Sequence, residues 1–356
     1  MIVEVCVDLS AVINELVEER GLDKETLSSI VCEGMLAAYQ RRYPDMNFRI
    51  SHDKKTDSIL VEVEKMVAST VTDEDSQISL RKLRSLGKEA SVDEMVWLPF
   101  SGPIGRIEIL RARQVIASKI RKIEADIIYG QFKDKQGSIV SGMIHKCERG
   151  GVVVKILDVL AFLPHSLTIP GEKYTVGYPL RALLKEVLPE PRNENQLILD
   201  RVSTLFVERL FEIEVPEVFE GLVQIKKIAR KPGYKSKIVV NSNDENIDPV
   251  GTCVGVGGVR IKPILKELGG EKIDIIAWSD SLESLIRGAL KPAEINRVEL
   301  FGDGVARVWL DDDQRSLAIG KMGQNIALAS QLAGIEIQLV QTTKSAENEA
   351  MEVHFE

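Results

Sequence analysis

The chain has 356 residues, 44% of them hydrophobic and 28% charged. That composition is globular, long enough for roughly two to four domains, and it excludes a disordered or fibrous polymer. No apolar run approaches the ~18 residues that cross a bilayer, and the opening MIVEVCVDLS carries Glu4 and Asp8 without a basic leader. A cytoplasmic location is therefore expected, with no membrane partner. Four dispersed cysteines (Cys6, Cys32, Cys147, Cys253), with no CxxC pair, argue against zinc and disulfides and for a reducing compartment. The formal net charge of −8 counts against nucleic acid as a partner unless the positive charge is locally concentrated.

The first stretch, 1–127, reads as α+β. Leu9, Val12, Ile13, Leu16 and Val17 recur at helical spacing, and Gly21 stands where that helix stops. Asp23 caps a second predicted helix through Leu27, Ile30, Val31, Met35 and Leu36 to Tyr43, ahead of Pro44. Alternating Ile59, Val61 and Val63 predict a strand, and 95–100 another, with Asp73-Glu74-Asp75 as an exposed loop between them. One long helix is expected from Ile107 to about Tyr129, connecting this domain to the next.

Residues 128–201 change to short β runs at 139–144, 152–156, 159–163, 180–187 and 196–199, separated by Gly150-Gly151, PGEKYTVGYP and PEPRNEN. Five strands in about 70 residues suit a small barrel of the OB type rather than a longer sandwich. On it, Phe162 is expected to pack in the core. His165 is expected to stack on bases, and Arg181 and Arg201 to meet phosphates.

From 202 onward one pattern occurs twice, over 202–279 and 280–345: a helix, two strands, a helix opened by Asp, a glycine bracket, a second helix and a strand. The brackets are Gly255-Val256-Gly257-Gly258 and Gly320-Lys321-Met322-Gly323, offset by 65 residues (320 − 255). Val254 and Ile319 precede them, and Ile261 and Ile326 follow. A GXXG loop between two short helices is how KH modules hold single-stranded nucleic acid: glycine lets the backbone approach phosphate closely, and bases lie on the flanking apolar groove, about four nucleotides long. The order αββααβ is that of a type II KH module. In the second bracket Lys321 can pair with phosphate, and Gln324 and Asn325 can reach backbone or bases. The first has no cation inside, only Arg260 one turn on, so weaker attraction is expected there, partly restored by Lys226, Lys227, Arg230, Lys231, Lys235 and Lys237, which precede it with no acid among them. Adding charge with Gly320→Asp and Gly323→Asp is expected to abolish most RNA binding with the fold intact. The tail after Thr342 is polar, and 346–356 is expected to be disordered.

Other chemistries lack their residues. GVGGVRIK has Arg260 where a dinucleotide fingerprint needs glycine, and a P-loop ending at Lys321 would need glycine at Arg315 and Ser or Thr at Met322. Asp311-Asp312-Asp313 suits a helix N-terminus better than a metal site. The four histidines (His52, His145, His165, His354) are scattered, so neither a cofactor nor catalysis is expected.

Together these segments form a multidomain α+β chain. Its order of α+β N-terminal domain, S1-type OB barrel and two tandem type II KH domains resembles the NusA family of bacterial transcription elongation, pausing and termination factors. The resemblance is carried most specifically by ARKPGYKSKIVVNSNDENIDPVGTCVGVGGVRIKPILKELGGEKIDIIAW and DDDQRSLAIGKMGQNIALASQLAGIEIQL, and more loosely by FLPHSLTIPGEKYTVGYPLRALLKEV. It implies that residues 1–127 dock on RNA polymerase, and that the barrel and KH domains hold nascent RNA to modulate pausing, termination and antitermination. Other antitermination factors are further candidate partners, and a monomer is expected when free. The chain departs from the family in three places. Gly257 stands where a basic residue is usual, and Leu199-Asp200-Arg201 replaces the usual Leu-Ser-Arg, which is expected to weaken contact at Arg201. The acidic carboxy-terminal repeats of some relatives, with any autoinhibition, are expected to be absent. The alternative is a general RNA-binding or translation-associated protein that works without polymerase. An RNA-processing enzyme of the polynucleotide phosphorylase kind is disfavoured by module order and by the lack of room for its catalytic domains.

Overall fold

The structure is a computed structural model and describes residues 23–53, 58–302 and 304–341. The helix expected over 9–17, with its stop at Gly21, lies outside the described residues, as does the segment beyond 341. The chain divides into two compact units, Met1–Ile127 and Ile128–Glu356.

In the first unit, α1 (Lys24–Arg42) starts where Asp23 accepts hydrogen bonds from the backbone N–H groups of Glu25 and Thr26. Four strands follow: β1 (Phe48–Asp53), β2 (Ser58–Ala68), β3 (Gln77–Ser79) and β4 (Met95–Pro99), with α2 (Leu80–Ser85) after β3. β2 is central, antiparallel to β1 and β4 and, at its own end, parallel to β3. β1, β3 and α2 have too short or too polar a pattern to be read from the sequence. The long helix α3 (Arg106–Phe132) packs Ile116, Ile120 and Ile123 on Leu27, Ile30 and Val31 of α1. Gly34 permits this approach, since a Cβ there would sit 2.4 Å from Ile116 Cγ1. Tyr39, Tyr43, Phe48 and Phe100 form an aromatic cluster under the sheet, with Phe48 and Phe100 ring centres 5.2 Å apart.

The second unit begins with a closed five-stranded barrel: β5 (Ile139–Glu148), β6 (Gly151–Ile156), β7 (Val159–Pro164), β8 (Pro179–Arg192) and β9 (Asn195–Asp200), joined in the order β5-β6-β7-β9-β8. Closure leaves no free edge. Phe132, from the end of α3, is buried in the barrel core with Val154, Leu163, Leu184 and Leu197. Phe162 departs from its expected core position. It lies between buried Ala161 and Leu163 on the opposite face of β7, half-exposed and against the Gly150-Gly151 turn.

Two αββααβ modules follow. The first comprises α4 (Thr204–Glu214), a short turn of helix α5 (Pro216–Phe219), β10 (Val223–Lys231), β11 (Lys235–Ser242), α6 (Pro249–Val254), α7 (Ile261–Glu267) and β12 (Lys272–Ala277). The second comprises α8 (Leu282–Leu290), β13 (Arg297–Phe301), β14 (Val305–Leu310), α9 (Asp312–Ile319), α10 (Gln324–Ala333) and β15 (Glu336–Gln341). In each sheet the middle strand is antiparallel to the first and parallel to the last. The modules share their cores with their neighbours. Ile169 and Leu183 of the barrel pack with Phe206, Leu210 and Phe211 of α4. Ala229, Val239 and Ile276 of the first KH sheet pack with Leu285, Ile286 and Leu328 of the second module. The first sheet is therefore covered on both faces, which is why β11 is buried without a break from Ser236 to Val240.

Candidate nucleic-acid interface

The two brackets have the same backbone. Gly255 (φ 73°, ψ 162°) matches Gly320 (φ 72°, ψ 177°), and Gly257 (φ 60°, ψ 17°) matches Met322 (φ 56°, ψ 27°). The hydrogen bonds repeat at the same 65-residue offset. Gly255 N–H donates to Gly251 O at 2.8 Å and Gly320 N–H to Ser316 O at 2.9 Å; Gly258 N–H donates to Gly255 O and Gly323 N–H to Gly320 O. The first position needs glycine, because positive φ with extended ψ is a region closed to L side chains. Each loop joins two helices and presents its middle residues to solvent: Val256 is 95% exposed and Met322 is 85% exposed. Lys321 is exposed too, and the amide oxygen of Gln324 is buried with no partner among the described residues. A phosphate can reach the exposed middle residues and Lys321, but not the buried, acceptor-only amide oxygen of Gln324.

The expectation that Gly320→Asp would leave the fold intact is corrected. A Cβ at Gly320 would lie 2.6 Å from Asn325 Cβ, so any side chain there pushes on the helix that follows. Gly323 faces open space, and its left-handed backbone (φ 73°, ψ 10°) is one that aspartate tolerates. Asn325 is also corrected as an RNA contact. It is buried, donating through Nδ2 to the carbonyls of Leu290, Leu317 and Ala318 at 3.2–3.3 Å, and so ties the bracket to α8 and α9.

The basic cluster before the first bracket does not form one face. Arg230 is buried against Glu271, donating to both carboxylate oxygens, and its remaining nitrogen donates to Ser203 O at 2.7 Å. Glu271 also accepts from Gly233 N–H and Ser236 Oγ. Lys237 is buried on Asp274 at 2.8 Å, and Lys235 pairs with the same carboxylate at 2.6 Å. Burial pulls the Lys237 ammonium below the ordinary lysine range, although Asp274 opposes it. Lys226, Lys227 and Lys231 remain exposed, with Lys227 reaching Leu332 O of the second module. The cations on the doubly covered strand had to take partners, because an unpaired buried charge is too costly.

On the barrel, His165 is exposed at the end of β7. Arg201 was expected on the RNA face and is instead 1% exposed. Its guanidinium donates to Glu172 at 2.6 Å, to Glu267 at 2.7 Å and to the carbonyls of Arg181 and Glu267. Burial works against its charge, but Glu172 and Glu267 outweigh it and raise its pKa. Asp200 does not face it: Asp200 Oδ1 accepts from the N–H groups of Val202 and Ser203, closing the turn into α4. Arg181 is half-exposed and shared between Glu214 and Glu267. Arg260 also has its partners within the fold, donating to Glu217 and to Thr252 O. Cys253, just before the first bracket, is buried, which pushes its thiol up to about 11.

Between the first bracket and the barrel lies a cavity of about 1100 Å³, lined in part by Leu180, Arg181, Val256, Val259, Lys262 and Lys266. Lys262 and Lys266 are not among the residues expected from the sequence. Their signal is the i, i+4 spacing on the helix that leaves the bracket, which places both on one face.

Comparison with known proteins matches residues 8–126 to the NusA N-terminal domain, residues 201–278 to the NusA-like first KH domain and residues 282–347 to the NusA-like second KH domain. The Thermus thermophilus transcription termination/antitermination protein NusA is 35% identical over 350 residues, covering 94% of this chain and 89% of that protein. The Bacillus subtilis protein of the same name is 33% identical over 335 residues, covering 93% and 90%. The solution structure of the B. subtilis NusA N-terminal domain aligns with 33% of this chain and 96% of its own length, at 27% identity and a TM-score of 0.26. Identity at this level over nearly the whole length of both chains places this protein in the NusA family.

Proposed function

We propose that this chain is a transcription termination and antitermination factor that holds nascent single-stranded RNA in its two GXXG brackets. In this reading residues 1–127 dock on RNA polymerase, 128–201 form an S1-type RNA-binding barrel, and 202–279 and 280–345 are the two KH domains. The factor works by binding and performs no chemistry. The observation that carries the reading is the pair of brackets with one backbone geometry, each open to solvent at its middle residues. Residues 8–126 match an N-terminal domain of the same family, for which a general RNA-binding protein has no use. Among the described residues no helix is long and apolar enough to cross a membrane. The polymerase part is tested by retention on immobilised cognate core RNA polymerase. The full chain is expected to be retained, and residues 128–356 to pass through while still binding RNA. Equal retention of both would contradict docking through the N-terminal unit.

A further inference from the structure

The first bracket has Val256 where the second has Lys321, 65 residues on (321 − 256), and Arg260 is committed to Glu217 and Thr252. Nothing inside it can neutralise a phosphate. The bracket does, however, open onto the cavity shared with the barrel, and the charges lining that cavity do not cancel. Arg201 and Arg181 are matched by Glu172 and Glu267, which pair with them at 2.6–3.5 Å. Lys262 and Lys266 remain, both exposed, and neither side chain has a hydrogen bond or ion pair among the described residues. Lys262 runs along the bracket itself: a Cβ at Gly258 would lie 3.5 Å from its Cε, one bond short of the ammonium. Val256 and Val259, 95% and 64% exposed, add an apolar wall beside these two cations.

We propose that Lys262 and Lys266 are the phosphate-binding cations of the first bracket, and that they draw single-stranded RNA into the cavity between that bracket and the barrel. The positive charge that the second module carries inside its loop is supplied here from the following helix. Two uncommitted cations beside exposed valines suit a chain of phosphates with bases that lie on apolar surface. The inference rests on reading the brackets as RNA clamps, and its test separates the two.

The experiment measures affinity of the full chain for a mixed-sequence single-stranded RNA of about ten nucleotides, enough to fill two four-nucleotide brackets, across a salt series. Lys262→Ala with Lys266→Ala changes two exposed helix positions to the best helix former, so the fold is kept. Each lost phosphate contact removes about 0.7 from the log–log salt slope, so the double variant is expected to bind about 25-fold more weakly at 0.1 M salt, with a slope shallower by about 1.4. Adding Val256→Lys to it, which puts a cation where the second bracket has Lys321, is expected to restore about half of the slope. Unchanged affinity and slope in the double variant, while Lys321→Glu with Gly323→Asp weakens binding, would overturn the proposal and leave the bracket reading standing. A loss of affinity with an unchanged slope and no restoration by Val256→Lys would overturn it too. If every variant bound like the parent chain, the bracket reading would fall and the proposal with it.

Discussion

Replacing Lys321 with glutamate and Gly323 with aspartate is expected to weaken binding of short single-stranded RNA by roughly 30- to 150-fold. The change removes one charge-assisted hydrogen bond to phosphate and sets two carboxylates in its place, about 2–3 kcal/mol in all. Both positions suit the test. Lys321 is exposed, and a side chain at Gly323 meets nothing within 4 Å. The backbone at 323 is left-handed, which aspartate accepts at small cost. The thermal unfolding of the variant should therefore stay close to that of the parent while fluorescence anisotropy reports the lost affinity. Parent-like affinity in this folded variant would remove the second bracket from the interface.

The second large effect concerns stability. Glu271 is buried at the base of the first KH module, and it accepts from Arg230, Gly233 N–H and Ser236 Oγ. Glu271→Ala leaves a buried guanidinium without its counter-charge and is expected to cost about 3–5 kcal/mol. The measurement is urea unfolding of residues 128–356, followed by the fluorescence of Trp278 and Trp309, the first of which packs against the core shared by the two KH modules. Adding Arg230→Met to Glu271→Ala should recover much of the loss, because the uncompensated charge is then gone. A midpoint that Glu271→Ala leaves unmoved would mean that the pair is not buried as described.

The repeated module was legible because its signals are local. Aspartates cap helices at Asp23 and Asp248, apolar periodicity marks the helices, and the two brackets recur at one spacing. The barrel strands were legible for the same reason, as apolar runs, but their bounds were less so: β8 continues into the expected separator PEPRNEN as far as Arg192, and only Leu157-Asp158 parts β6 from β7. The roles of single charges were not legible, because a sequence shows a charge and not what it faces. Arg230 meets Glu271 across 41 residues, and Arg201 meets Glu267 across 66. Lys237 reads as a surface lysine by alternation, but both faces of its sheet are covered, one by α4 and the other by the second KH module. Asn325 likewise looks free at the start of a helix until α8 is folded against it. The same logic explains Asp200. Its carboxylate is turned onto the N–H groups that open α4, so its charge does not oppose Arg201 as its neighbouring position suggested. What survives for RNA is the set that the fold leaves uncommitted: the bracket backbones, Lys321, Gln324, Lys231 at the end of β10 and the pair on α7.

These residues give the account its central claim, that the factor acts on transcription by holding the emerging RNA. The most direct measurement is the lifetime of a hairpin pause in single-round transcription by the cognate RNA polymerase, with the full chain and with its Lys321→Glu/Gly323→Asp variant. The parent chain is expected to lengthen the pause, and the folded variant, still retained on polymerase, to lose most of that effect. A variant that lengthens the pause as fully as the parent, despite its lost RNA affinity, would contradict the claim.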